Sequence, residues 1–158
     1  MKLGGIDIAD FAIVRTEESE SVRTASKELQ FYLKKVAGAA LEIEKNHRPA
    51  IRIGANIPEA QEEIGKLAGE DGFVLKLICG DLVISGKTAA AALYGTYYFI
   101  EKYLGVEWLA PDCEVVVKDV RQDDLYPDER YDFPALMRVC HNHFAYDEKY
   151  RARHRLTY

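Results

Sequence analysis

Apolar and polar positions change period several times along this chain, and each change predicts an element. Residues 11–15 place Phe11 and Ile13 on one side and predict a first strand. Glu17, Glu18 and Glu20 follow as first-turn acids, with Ser19 or Ser21 placed to cap a helix. Val22, Ala25, Leu29, Leu33 and Val36 then recur at helical spacing, Tyr32 alongside, until Gly38 ends the run. Phe31 falls opposite that stripe. Residues 41–44 and 51–54 alternate apolar and charged side chains, as strands with one wet face do. Pro58 opens a short helix over 58–67, with Ala60, Ile64 and Leu67 inward. Residues 73–78 and 82–85 predict a hairpin about Cys79-Gly80-Asp81, and Glu114 to Lys118 a last strand.

The stretch over residues 82–112 organises the rest. A β-branched run ends at Gly86, and an apolar helical pattern continues to Leu104 before Gly105 stops it. Ala89, Leu93, Thr96, Ile100 and Leu104 share one arc, flanked by Tyr97 and Tyr103. Gly95 inside it costs roughly 1 kcal/mol against Ala, which a close approach would justify. Two long helices must bury their stripes on something. The expected fold is therefore α+β: two layers, a mixed β-sheet with both helices on one face. The other face is left polar, or open to a partner domain. Past Val120 the chain turns acidic and carries Pro127 and Pro134, which reads as a linker.

A length of 158 residues fits one domain, or one domain with part of the next. With 48% hydrophobic and 30% charged residues, a real core can form. The net charge of −5 argues against nucleic acid as a partner, since phosphate binding needs a basic footprint. No apolar run approaches the ~18 residues of a membrane span, and Met-Lys-Leu-Gly-Gly has no signal-peptide core. No membrane partner is expected. The compartment stays open, and a secreted or periplasmic parent is compatible with it. Cys79, Cys113 and Cys140 form neither a disulfide framework nor a metal pair, so plain thiols are expected.

Residues 1–125 hold no phosphate loop, no dinucleotide fingerprint, no nucleophile elbow and no His-Glu-x-x-His, so no catalytic residue, metal or cofactor is assigned. His47 is read as solvated in a turn. The segment around 134–144 differs, setting Arg138, Cys140, His141, Asn142 and His143 beside apolar residues. On a strand His141 and His143 would share a face, but two ligands are too few for a metal. Residues 146–158 predict an amphipathic helix with a basic end, Arg151, Arg153, His154 and Arg155, read as a solvated charged face. The last residues look like an element cut short.

The run Leu93-Tyr94-Gly95-x-Tyr97-x-Phe99-Ile100-Glu101-x-x-Leu104-Gly105-Val106-x-Trp108-Leu109-x-Pro111-Asp112 resembles the N-terminal accessory domain of bacterial glycoside hydrolases, the domain preceding the barrel in family 67 α-glucuronidases and family 20 hexosaminidases. Ala25 to Gly38, Ile51-x-Ile53-Gly54, Asp71-Gly72-Phe73 and Leu82 to Gly86 recur in the expected order, over about residues 10 to 115. Alanines Ala89 to Ala92 stand where such domains often carry an Arg-Gly.

The resemblance implies a zincin-like topology of the hexosaminidase domain 2 kind, and a domain that is not itself catalytic. It divides the chain into an accessory domain (1–120), a linker (121–135) and the start of a (β/α)8 barrel (136–158). It further implies that Arg138, Asn142 and His143 lie near the sugar cleft of the whole enzyme, with the catalytic acids beyond Tyr158. The first partner expected is thus a downstream barrel of the same chain, docked through the long helix, Phe31 and Tyr98. Residues past Asp119 are expected to be disordered without it, or to pair non-natively, a homodimer through the C-terminal segment included. The alternative is a module that binds oligosaccharide itself by aromatic stacking, although Trp108 reads as core.

Overall fold

The computed structural model describes residues 1–133, Arg138 and residues 143–156. Its elements are β1 (Lys2–Leu3), β2 (Ile6–Asp7), β3 (Ala12–Arg15), α1 (Glu20–Tyr32), β4 (Ile43–Glu44), β5 (Ala50–Ala55), α2 (Gln61–Ile64), β6 (Phe73–Ile78), β7 (Asp81–Gly86), α3 (Ala89–Lys102), β8 (Val106–Ala110), β9 (Cys113–Val116), β10 (Asp124–Leu125), β11 (Asp128–Tyr131) and α4 (Glu148–Arg153). Among the described residues the main sheet has six strands in the order β11-β6-β7-β5-β3-β4. β7, β5, β3 and β4 run parallel, while β6 and β11 are antiparallel to their neighbours. The class is mixed α+β, as the sequence predicts.

Local chemistry explains the two longest helices. Ser19 caps α1, its hydroxyl accepting the Val22 N–H at 3.3 Å. The predicted stripe Val22, Ala25, Leu29, Leu33 and Val36 is buried, each Leu or Val contributing about 1.5–3 kcal/mol. The helix widens into a π turn over Leu33–Ala37 and stops at Gly38, whose φ of 72° is left-handed. Thr88 caps α3 in the same way, through the Ala91 N–H. The core lies between these helices and Ile13, Ile51, Ile53, Phe73, Leu75, Leu82 and Ile84 of the sheet. α3 comes so close that a Cβ on Gly95 would sit 3.1 Å from Phe73 and 3.2 Å from Ile84.

The buried face of α3 is wider than the arc read from its spacing. Ala91, Ala92 and Phe99 are buried, whereas Ala89 and Leu93 are only partly so. The hairpin of β6 and β7 turns at Cys79 and Gly80 as expected, with Ile78 opposite Asp81. Residues 58–67 form a 3-10 turn (Pro58–Ala60) and then the four-residue α2. Ala60, Ile64 and Leu67 do point inward, but onto Val74 and Val83 of the sheet's second face. That face is therefore apolar and covered over part of its area, not uniformly polar.

Three further expectations change. The strand expected at 114–118 is β9, at Cys113–Val116; it is not the last, and it pairs antiparallel with β8. The stretch read as a linker carries strands: β10 pairs parallel with β1, and β11 extends the main sheet beside β6. β11 reads Asp-Glu-Arg-Tyr and has no apolar alternation to reveal it. Lys102 and the Tyr103 hydroxyl on Glu129, with Tyr131 stacked on Phe73 at 5.4 Å, hold it instead. Of the two expectations past Asp119, disorder or a non-native pairing, β10 and β11 show paired backbone, not disorder. Cys79 and Cys113 are free and exposed, and Cys140 lies outside the described residues. No helix among the described residues is long and apolar enough to cross a membrane.

Candidate functional site

The densest polar chemistry lies where the C-terminal segment meets the helical layer. On α1, Glu28 and Tyr32 are four residues apart and so share a face. Lys35 follows one turn later. β8 brings Trp108 beneath Tyr32, and α3 brings Tyr97. The rings meet edge-on, Tyr32 to Trp108 at 5.7 Å and Tyr97 to Trp108 at 5.4 Å. Trp108 is 4% exposed, core as its sequence position suggested.

The Tyr32 hydroxyl is fully used. It accepts from Trp108 Nε1 at 3.0 Å and from Arg153 Nη2 at 3.0 Å, and donates to Glu114 of β9. Two lone pairs and one proton allow just this set. Burial, and then the hydrogen bond to Glu114, push the phenol up to about 12. For Glu114 burial acts to raise the carboxyl, but hydrogen bonds from Lys35 and Tyr32 outweigh it and carry it below its ordinary value.

Arg153 enters from α4. It is 6% exposed, with its guanidinium 5.0 Å from the Trp108 ring centroid and Nη2 3.6 Å from Glu28 Oε2. Glu28 also meets Lys149 Nζ at 2.7 Å and accepts from the Tyr97 hydroxyl at 3.4 Å. His154 Nε2 donates to the Trp108 carbonyl at 3.0 Å, and burial lowers that imidazole's pKa. Arg155 pairs with Glu101 at 2.9 Å and lies 5.7 Å from the Tyr98 ring. The basic end of α4 is therefore packed into the domain, not a solvated face.

Of the residues assigned by resemblance, Arg138 pairs with Asp71 at 2.7 Å, donates from Nε to the Arg155 carbonyl at 2.7 Å, and lies over Phe133 at 4.2 Å. His143 opens a 3-10 turn (His143–Tyr146), and Asn142 lies outside the described residues. Phe31 is 56% exposed, whereas Tyr98 is partly covered by Phe73, Tyr131 and Arg155. His47 is half-buried, with Nε2 at 3.0 Å from the Asp10 carbonyl. Among the described residues no group of three His, Cys, Asp or Glu side chains could hold a metal. What the site can do chemically is bind a cationic, aromatic-packed helix.

No curated protein matches the chain. Among solved structures, a family GH115 4-O-methyl-α-glucuronidase with specificity for decorated arabinogalactans is 28% identical at a TM-score of 0.49, over 61% of this chain and 13% of that one. A GH20 exo-β-N-acetylglucosaminidase from Vibrio harveyi is 14% identical at 0.41, over 63% and 13%. A Streptomyces plicatus β-hexosaminidase in complex with GlcNAc is 18% identical at 0.41, over 57% and 16%. This chain thus spans a small fraction of each of those proteins. The family model described as glycosyl hydrolase family 67 N-terminus matches residues 8–99, more than half of the sequence, from just before β3 through most of α3. The chain belongs to the glycosyl hydrolase family 67 N-terminus family.

Proposed function

We propose that residues 1–120, with β10 and β11 completing their sheets, are a non-catalytic accessory domain of a glycoside hydrolase, and that its helical layer braces the catalytic barrel that opens near residue 136. Family membership supports the class of parent. The observation that carries the bracing role is Arg153, buried against Tyr32, Trp108 and Glu28. A surface helix with no docking duty has no reason to desolvate an arginine, which costs several kcal/mol unless hydrogen bonds and a counter-charge offset it.

On this reading the two helices on one face of a mixed sheet correspond to the zincin-like arrangement of hexosaminidase domain 2. Arg138, Asn142 and His143 approach the sugar cleft of the complete enzyme, and the catalytic acids follow Tyr158. Aryl glycosides test the first half: residues 1–158 give no turnover, and turnover by them alone overturns the accessory role. The second half is tested in the protein extended through its barrel. Arg153→Met there lowers the melting temperature by several degrees, and an unchanged melting temperature contradicts bracing.

A further inference from the structure

The second face of the main sheet is only half closed. Ile57, Ala60, Ile64 and Leu67 cover Val74 and Val83. Beside them a cleft of about 390 Å³ remains, within the range of small-molecule sites. Its charged walls are Arg15, Lys45, Arg48 and Arg52, with Glu59 and Asp81 as carboxylates. Four cations less Glu59, Asp81 and the Glu18 that Arg15 meets leave +1, in a chain whose net charge is −5.

Both carboxylates are already engaged. Asp81 is 3% exposed and accepts the Ala50 N–H at 2.9 Å, while Glu59 is held by Arg52. Arg15 meets Glu18 at 3.2 Å. With Arg15 and Arg52 so paired, the exposed Lys45 and Arg48 form no ion pair among the described residues, and two like charges beside one hollow favour the entry of an anion. The walls also offer Thr16, Asn46 and His47, and no Tyr, Trp or Phe. Neutral sugars held by ring stacking have no platform here, and neither do apolar ligands.

We infer that this cleft binds a small oxyanion carried on a monosaccharide-sized polar molecule, its charge met by Arg48 and Lys45. The bracing role uses other residues on the opposite face of the sheet, so either reading can fail alone.

Calorimetric and amide-shift titrations of residues 1–158 at low salt test it with five probes: D-galacturonate, glucose 6-phosphate, D-galactose, D-glucose and inorganic sulfate. Millimolar or tighter binding of both charged sugars is expected, with shifts at Thr16, Asn46 and Arg52 and none from galactose or glucose. The tighter of the two charged arms tells a carboxylate ligand from a phosphate one. Arg48→Ala and Lys45→Ala each weaken binding about tenfold, with Trp108 fluorescence unchanged as the check on folding. No shift from any anion, or binding indifferent to both substitutions, overturns the site. Sulfate binding as tightly as the sugars overturns the sugar-sized ligand.

Discussion

Arg153 Nη2 donates to the hydroxyl oxygen of Tyr32 at 3.0 Å, across 121 positions of sequence. The same oxygen accepts from Trp108, so one phenol joins α1, β8 and α4. Tyr32→Phe keeps the ring and removes that junction. Two buried donors then lose their acceptor, at a cost of about 1–3 kcal/mol each way it is relaxed. Urea unfolding followed by the fluorescence of Trp108, the single tryptophan, should show a lower midpoint and an unchanged slope. An unchanged midpoint would mean that the phenol oxygen does not carry the junction.

Replacing Arg153 by Met tests the other end. Methionine restores the apolar stem over Trp108 but not the donors, and it removes one cation from Glu28. Lys149 and the Tyr97 hydroxyl still serve Glu28, so the expected loss is about 1–2 kcal/mol, not that of an orphaned buried charge. The double variant with Tyr32→Phe should lose less than the two single losses combined, because both delete the same hydrogen bond. Strict additivity in chemical denaturation would contradict the pairing.

Alkaline pH should weaken the fold through the same residue. Tyr32 is pushed up to about 12 and Tyr103 also to about 12, in both cases first by burial. A folded-state pKa above the ordinary 10.0 means that the folded protein holds the proton longer. The stabilisation is thus complete below about pH 10 and is lost as pH rises towards about 12. Unfolding midpoints measured across that window should fall, and fall less steeply in Tyr32→Phe. Midpoints that stay level across it would count against buried, protonated tyrosines.

Two glycines make a steric prediction. A Cβ on Gly86 would lie 2.3 Å from the Ala92 nitrogen and 2.5 Å from the Thr88 carbonyl oxygen, both backbone. Gly86→Ala must push α3 off the end of β7 and should cost about 3 kcal/mol or more. At Gly95 the neighbours are side chains, but Phe73 is packed by Tyr98, Tyr131 and Phe133 and has little room to give. Gly95→Ala should therefore lose about 1 kcal/mol despite its better helix propensity. Thermal melts that rank Gly95→Ala below Gly86→Ala in stability would reverse the account.

How far the sequence revealed this structure depends on where each residue's burial comes from. The α1 stripe was legible because one sheet covers one side of that helix, so periodicity and burial coincide. Phe99 was not, because α3 lies between the sheet, α1 and β8 and hides more than one arc. β11 escaped because charge and ring stacking, not apolar alternation, fix it. The family's sequence marks, from Ala25 to Asp112, were readable in order. The junction itself was not: Tyr32 read only as core, Glu114 as a strand residue and Arg153 as solvated. Pairings across 82 and 121 positions leave no local pattern.

The helical layer of this domain holds the described part of the C-terminal segment through Arg153, His154 and Arg155. Amide hydrogen exchange on residues 1–158 measures that hold. The account predicts that the amides of Arg151 and His154 are protected in the wild-type protein and lose protection in Arg153→Met, while those of β5 and β7 stay protected in both. Wild-type α4 amides exchanging as freely as an open chain, beside a protected sheet, would contradict it.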